Sequence, residues 1–189
     1  MSSKADQQRA ALLPVLAEIM RCHGYEGASL ARMTEGTGLG KGSLYHLFPG
    51  GKEEMTNAVL AEIDAWFQRE VYQPLRDWPD AAAGIDHMFE EVERYFLSGR
   101  KVCLVGVFAL VNVRDRFAER VSSYFADWVQ ALQAALQRSD TEESKAASLA
   151  EEVVAAIQGG LVLARAMDDP ALFVRTLQRW QQRLQREIT

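Results

Sequence analysis

The sequence predicts an all-α chain of about nine helices, in which a small head of three helices precedes a larger helical body. Three observations carry this prediction. Apolar residues recur at spacings of three and four, and strict alternation is absent over any useful length. Clusters of Gly and Pro cut the chain into helix-sized segments. A hydrophobic fraction of 48% over 189 residues is ample for a core and excludes a disordered chain.

The first helix is expected over residues 4–23, with Leu12, Leu13, Leu16, Ile19 and Met20 on one side, Pro14 inside it and Gly24 as its left-handed stop. Ser29 reads as the N-cap of a two-turn helix over 30–36. Four of the seven positions from 36 to 42 are Gly, so 36–40 is a turn. Residues 41–47 form another short helix, which ends before Pro49, and Pro49-Gly50-Gly51 is a second breaker. A fourth helix is expected over 52–71, with Met55, Val59, Ile63, Trp66 and Phe67 on one face; Pro74 and residues 77–80 mark a connection. Asp80 caps the next helix, whose stripe is Ile85, Met88, Phe89, Val92 and Phe96. Residues 98–101 interrupt it, and 102–113, with no clear amphipathic face, is expected mostly buried. Residues 114–137 repeat apolar positions at Phe117, Val121, Tyr124, Phe125, Trp128, Leu132 and Leu136. Asp140 with Glu143 reads as a capping box for a helix continuing through Leu149, Val153, Ile157, Gly160 and Ala164. Pro170 opens the last helix, whose stripe is Phe173, Leu177, Trp180, Leu184 and Ile188.

The net charge of −5 conceals an asymmetry. Residues 1–52 hold six Lys/Arg and four acids and carry +2, whereas 53–189 carry −7. A mildly basic head on an acidic body is compatible with phosphate binding by the head alone. No apolar run approaches the roughly 18 residues of a membrane span, so no membrane partner is expected. The first residues lack the apolar stretch of a secretory signal. Cys22 and Cys103 cannot build a disulfide framework, which points to a reducing cytoplasm.

Two helices of about two turns bury little by themselves, and a third must support them. Support, crossing and recognition helix is the logic of a helix-turn-helix unit. Lys41 then opens the recognition helix as a cation for phosphate, Gly42 and Ser43 are small enough for close entry into a major groove, and Tyr45 and His46 add hydrogen-bonding groups. Lys52 sits at a helix start, where amides and charge together suit a phosphate.

The run from Gly36 to Met55, Gly-Thr-Gly-Leu-Gly-Lys-Gly-Ser-Leu-Tyr-His-Leu-Phe-Pro-Gly-Gly-Lys-Glu-Glu-Met, resembles the signature of TetR-type transcriptional regulators. The likeness extends back to Gly24-Tyr25 and Ser29-Leu30 and covers about the first third of the chain. Phe48-Pro-Gly-Gly-Lys52, Cys103-Leu-Val and Gln158 to Arg165 are similar to the LmrA/YxaF branch. Two positions depart from the family pattern: Gly40 replaces the usual Ser, removing one phosphate-contacting hydroxyl, and Met33 stands where Ile is typical. The resemblance implies a DNA-binding domain over 1–51 and an effector-binding and dimerisation domain over 52–189. It implies a DNA-facing set of Ser29, Arg32, Lys41, Gly42, Ser43, Tyr45, His46 and Lys52. Lys41, Tyr45 and Lys52 would mostly hold phosphates, and Arg32, Ser43 and His46 are candidates for base edges.

The aromatic residues of the body read either as ordinary packing or as the lining of a pocket. The resemblance favours a pocket for a small apolar or aromatic effector, with Trp66, Phe89, Phe96, Cys103, Phe108, Asn112, Phe125 and Trp128 as its candidates. Cys22 reads as a small core residue, and Cys103 as core or as a sensing thiol. The resemblance also implies a homodimer through the last two helices, with Ile157, Gly160, Leu161, Ala164, Phe173, Leu177 and Trp180 at the interface. Gly159-Gly160 in mid-helix costs about 1 kcal/mol each against Ala, which a close backbone approach would offset. The implied function is a repressor that binds a near-palindromic operator as a dimer and is released by its effector.

Other chemistries lack their patterns. A Walker loop needs Gly, four residues, then Gly-Lys-Ser/Thr, whereas Gly42 follows Gly40-Lys41 and position 35 is Glu. Positions 41 and 43 also break Gly-x-Gly-x-x-Gly. His23, His46 and His87 share no metal-ligand spacing, so neither metal nor cofactor is expected. A small helical enzyme or carrier using the aromatic cavity is the alternative, and it lacks a catalytic constellation. A helical interaction protein without DNA affinity explains the stripes but not the basic head.

Overall fold

The computed structural model describes residues 4–188; residues 1–3 and 189, which the expected domains 1–51 and 52–189 include, lie outside the described residues. All regular structure among the described residues is helical: α1 (Lys4–Gly27), α2 (Leu30–Thr37), α3 (Lys41–Leu47), α4 (Gly51–Phe67), α5 (Gln73–Asp77), α6 (Ala81–Tyr95), α7 (Leu104–Ala109), α8 (Ala118–Arg138), α9 (Glu143–Ala166) and α10 (Pro170–Glu187). A π turn, Gln68–Tyr72, joins α4 to α5, and 3₁₀ turns cover Leu97–Gly99 and Asn112–Phe117. Counted as rods, with α4 and α5 as one, the described residues form nine helices.

The chain divides into two compact units, Met1–Asp64 with Leu104–Val121, and Ala65–Cys103 with Ser122–Thr189. In the first unit α1 supplies Leu16 and Met20, α2 supplies Met33, α3 supplies Leu44 and Leu47, and all are buried. Tyr25 stands edge-on to Phe108 and Phe117, with centroids 6.3 and 5.5 Å away. This unit is larger than the 1–51 segment, because it includes the start of α4 and also α7, which packs on α1, the helix that supports α2. Gly24 breaks α1 where a stop was expected, with φ 65°, and the helix resumes for one turn to Gly27.

In the second unit Phe67 is the centre of a ring cluster: Trp66, Tyr95, Tyr124 and Trp128 lie 4.9–5.3 Å from it. α9 and α10 pack along their lengths, burying Leu149, Val153, Ile157 and Leu161 with Phe173, Leu177 and Leu184. By length and composition α9 could cross a membrane, which the scan for apolar runs did not anticipate. Its buried stripe is that of a core helix.

Four local expectations need correction. Pro74 does not end a helix: the Gln73 N–H donates to the Gln68 carbonyl across the π turn, so Pro74 falls in the first turn of a new segment, where its missing N–H costs no ladder bond. Glu142, not Asp140, caps α9, its carboxylate accepting from the Ser144 and Lys145 amides while Asp140 lies at φ 60°. Residues 102–113 are only half inside: Leu104, Val105 and Phe108 are buried, but Leu110 is 80% exposed and Val111 47%. Cys22 is exposed and pairs with Glu18 at 3.6 Å, so it is not a core residue.

Candidate nucleic-acid interface

The geometry of the reader starts at Ser29, whose hydroxyl accepts from the Arg32 amide at 3.4 Å and caps α2. α2 ends at Gly38 in the left-handed conformation, φ 68°, where a side chain would be strained. Thr37 fixes the turn that follows: its hydroxyl donates to the Met33 carbonyl at 2.6 Å and accepts from the Leu39 amide at 3.4 Å. Leu39 is half-buried. Gly40 holds the N-cap position of α3 in an extended conformation and offers no side-chain acceptor, so the Ser it replaces would have served as a cap.

α3 is sharply two-faced. Leu44 and Leu47, with Phe48 just beyond, turn inward, whereas Lys41, Gly42, Ser43, Tyr45 and His46 are exposed. The Lys41 ammonium lies 6.0 Å over the Tyr45 ring. A Cβ at Gly42 would meet nothing within 4 Å, so no neighbour inside the chain requires Gly there.

A clamp that the sequence reading did not single out holds the far end of α3. Arg9 donates to the Leu47 carbonyl, pairs with Glu54 at 2.8 Å and covers the Phe48 ring at 4.6 Å. Glu54 in turn accepts from the Gly50 amide at 2.7 Å. That amide, and after it the Arg9 guanidinium, hold the Glu54 carboxyl below its usual range against the cost of desolvation. The signal was present as a Glu near a helix start and an Arg three helices earlier, but their pairing spans 45 positions in sequence.

The eight DNA-facing candidates therefore divide. Lys41, Gly42, Ser43, Tyr45 and His46 share the open face of α3. Arg32 is exposed on α2, with one guanidinium nitrogen donating to the Gly27 carbonyl at 2.8 Å. Ser29 is half-buried and used by its own cap. Lys52 departs from its expected role: its ammonium donates to the Tyr25 carbonyl at 3.0 Å and lies 4.2 Å over the Tyr25 ring. A chain carbonyl and an aromatic face together outcompete solvent for it, so it ties α4 to the end of α1.

The effector candidates divide between the two units. Phe108 and Asn112 belong to the first unit, the former buried and the latter exposed. Trp66, Phe89, Phe96, Cys103, Phe125 and Trp128 belong to the second. There Phe89, Phe96, Cys103 and Trp128 are buried, and Trp66 and Phe125 half-buried. Most of these rings pack against other rings of the core: Trp66 and Trp128 lie 5.0 and 5.3 Å from Phe67, Phe96 lies 6.0 Å from Phe173, and Phe125 5.0 Å from Tyr124. Tyr124, which the sequence shows as one position of the stripe over 114–137, is the exceptional member. Its hydroxyl is buried without a hydrogen-bond partner of standard geometry, beside the Cys103 thiol. Burial, then its polar neighbours Cys103, Tyr72 and Tyr95, push its proton affinity well above the ordinary tyrosine range.

The expected interface residues lie inside one chain. Ile157, Gly160, Leu161, Ala164, Phe173 and Leu177 are buried and Trp180 is half-buried. A Cβ on Gly160 would lie 3.4 Å from Phe173 and Thr176, so the close approach there is between α9 and α10. Periodicity identifies a helix's apolar stripe but not which neighbour covers it. The large apolar residues that α9 and its end leave exposed are Val162, Leu163 and Met167.

Residues 12–59 match the family described as bacterial regulatory proteins of the tetR family, and residues 81–185 match the transcriptional regulator LmrA/YxaF-like C-terminal domain. The HTH-type transcriptional regulator LmrA of Bacillus subtilis is 25% identical over 160 residues, covering 82% of this chain and 85% of that protein. A TetR transcriptional regulator from Legionella pneumophila superposes with TM-score 0.78 at 21% identity, covering 96% of this chain and 97% of that one. A cysteine variant of the TetR family regulator CifR, crystallised with a 26-bp double-strand operator DNA, superposes with TM-score 0.68 at 22% identity, covering 100% and 98% of the two chains.

Proposed function

The chain belongs to the TetR family of transcriptional regulators, in its LmrA/YxaF-like branch, and from that premise we propose that it is a repressor which binds a near-palindromic operator as a homodimer and leaves it when a small apolar or aromatic effector binds. The family consists of regulators rather than enzymes, and its members bind operator DNA. The observation that carries the reading is the open face of α3, where a cation, two small residues, a phenol and an imidazole stand together. Lys41 and Tyr45 hold phosphates, Gly42 permits close approach, and Ser43, His46 and Arg32 reach base edges. Residues 1–51 do the reading, and 52–189 carry effector binding and assembly.

A dimer places two such helices in successive major grooves, about 34–36 Å apart. Since the expected interface residues are covered within one chain, the mating face on α9 is the exposed one, with Gly159, Val162, Leu163 and Met167. The effector enters the ring cluster of the second unit, and the buried Tyr124 hydroxyl beside the Cys103 thiol supports a ligand with one polar group. The rod from α4 through α5 begins in the first unit and ends in the second, so a shift in it alters how the recognition helices fit the groove spacing. The coupling requires the effector to favour the spread state. The protein works in the cytoplasm, where its DNA is.

Fluorescence anisotropy with the DNA flanking its own coding region tests this. Affinity falls steeply with salt, and Lys41→Ala lowers the salt slope by about one unit. Lys41→Ala and Tyr45→Ala weaken binding while the dimer persists in ultracentrifugation. Salt-insensitive binding, or unfolding of both variants, would refute the assignment.

A further inference from the structure

A cleft of about 350 Å³ opens in the first unit, between the break in α1 at Gly24 and the segment carrying α7 and the 3₁₀ turn after it. Val107, Val111 and Val113 give it an apolar wall. Tyr25, Asn112 and Arg116 bring hydrogen-bond donors to the same space, against a single carboxylate, Glu26, whose side chain is 86% exposed. This volume is in the range of small-molecule sites, and its make-up, apolar walls with a few convergent polar groups, is theirs too.

We propose that this cleft is a small-molecule site in its own right, separate from the ring cluster of the second unit, and that it takes a flat aromatic monocarboxylate. The valines accept the ring. Arg116 keeps its charge and presents a planar fork suited to a carboxylate. Its side chain is half exposed; it donates to the Tyr25 hydroxyl at 2.9 Å and lies 3.7 Å from Glu53, so it can turn toward a ligand without uncovering a core. The Asn112 amide adds a donor at the rim. A cationic ligand would meet Arg116 with only the Glu26 carboxylate to compensate, and that side chain is 86% exposed.

The position gives such a ligand a consequence. The Tyr25 ring lies between two cations, Lys52 at 4.2 Å and Arg116 at 5.3 Å, and the Tyr25 carbonyl holds Lys52 at the start of α4. Drawing Arg116 to a carboxylate removes one of the two and releases the Tyr25 hydroxyl. The knot that ties the end of α1 to the start of α4 is then loosened, and the support of α2 and α3 with it. This coupling rests on the proposed regulator role; the binding itself does not.

The test uses the full-length protein without DNA and 2-naphthoate as the probe, by calorimetric titration and methyl NMR. Saturable binding is expected, one per chain, with the valine methyls of Val107, Val111 and Val113 shifting. Arg116→Gln weakens it by about tenfold or more. Val111→Asp, at a half-exposed position that tolerates a polar residue, weakens it similarly by like-charge repulsion, and 2-(aminomethyl)naphthalene binds at least about tenfold more weakly than the carboxylate. Absence of saturable binding, equal affinity in both variants, equal affinity for the amine, or shifts confined to methyls of the second unit would each overturn the site. If 2-naphthoate binds there and operator affinity does not change, the site stands and the coupling is overturned. If the protein binds no operator at all, the regulator reading fails while the titrations still decide the site.

Discussion

The pair α2–α3 and the pair α9–α10 are built from the same kind of element and put it to opposite uses. α2 and α3 are 8 and 7 residues long; among them only Met33, Leu44 and Leu47 are buried, and the rest of α3 stays open. α9 and α10 are 24 and 18 residues long, and their apolar stripes are buried against each other, α6 and the 3₁₀ turn Leu97–Gly99. A short helix cannot stabilise itself, so its position is dictated by what surrounds it, and its outer face is left available. A long pair stabilises itself, and its stripe residues are thereby withdrawn from any partner. Conspicuous apolar periodicity therefore locates the core, while a site is marked by residues that periodicity does not explain.

The largest expected effect breaks the long pair. Phe173 is fully buried and lies 6.0 Å from Phe96; Phe173→Ala costs about 3–5 kcal/mol in urea denaturation. A loss under about 1 kcal/mol would mean that α10 is not a core element. Next comes the approach of the 3₁₀ turn to α10. Gly99 has φ 92°, and a Cβ there would lie 2.7 Å from the Pro170 carbonyl oxygen, so Gly99→Ala costs about 2–3 kcal/mol in the same measurement. Neutral behaviour would show that the turn relaxes freely.

The short pair responds in the other direction. Gly42 is helical and unhindered, so Gly42→Ala stabilises the protein by about 1 kcal/mol in thermal melts while weakening operator binding, because the added methyl stands where the groove must come close. Stabilisation without loss of affinity would remove Gly42 from the interface.

The smallest effect concerns the clamp on α3. The Glu54 carboxyl is held below its ordinary value in the folded chain. Its contribution is therefore complete above the unfolded value, about 4.3, and disappears as the pH falls through the lower folded value. Glu54→Gln lowers the melting temperature at neutral pH, and the gap to wild type closes below about pH 4. A gap that widens on acidification would discard the clamp.

Much of the reader was legible. Ser29 as cap, the turn at Gly38 and the bounds of α3 follow from capping and turn chemistry, which act within a few residues. The Arg9–Glu54 clamp and the capture of Lys52 by Tyr25 were not, since each joins residues that only folding brings together. The same holds for the effector candidates. Composition identified an aromatic-rich body, but Asn112 and Phe108 fall in the other unit, and the buried hydroxyl beside Cys103 belongs to Tyr124. For the dimer candidates periodicity marked the stripe that α9 and α10 bury within one chain, because it registers burial without saying by which surface.

The sequence by itself determined the helical class, most helix ends, the two-faced recognition helix and the family, because helix periodicity, caps, turns and motifs are written in neighbouring residues. Tertiary structure alone decided which cations remain open to a phosphate, which side of α9 is covered, and where donors and valines converge on a cleft. Those outcomes depend on contacts between residues tens of positions apart, whose geometry no local pattern encodes.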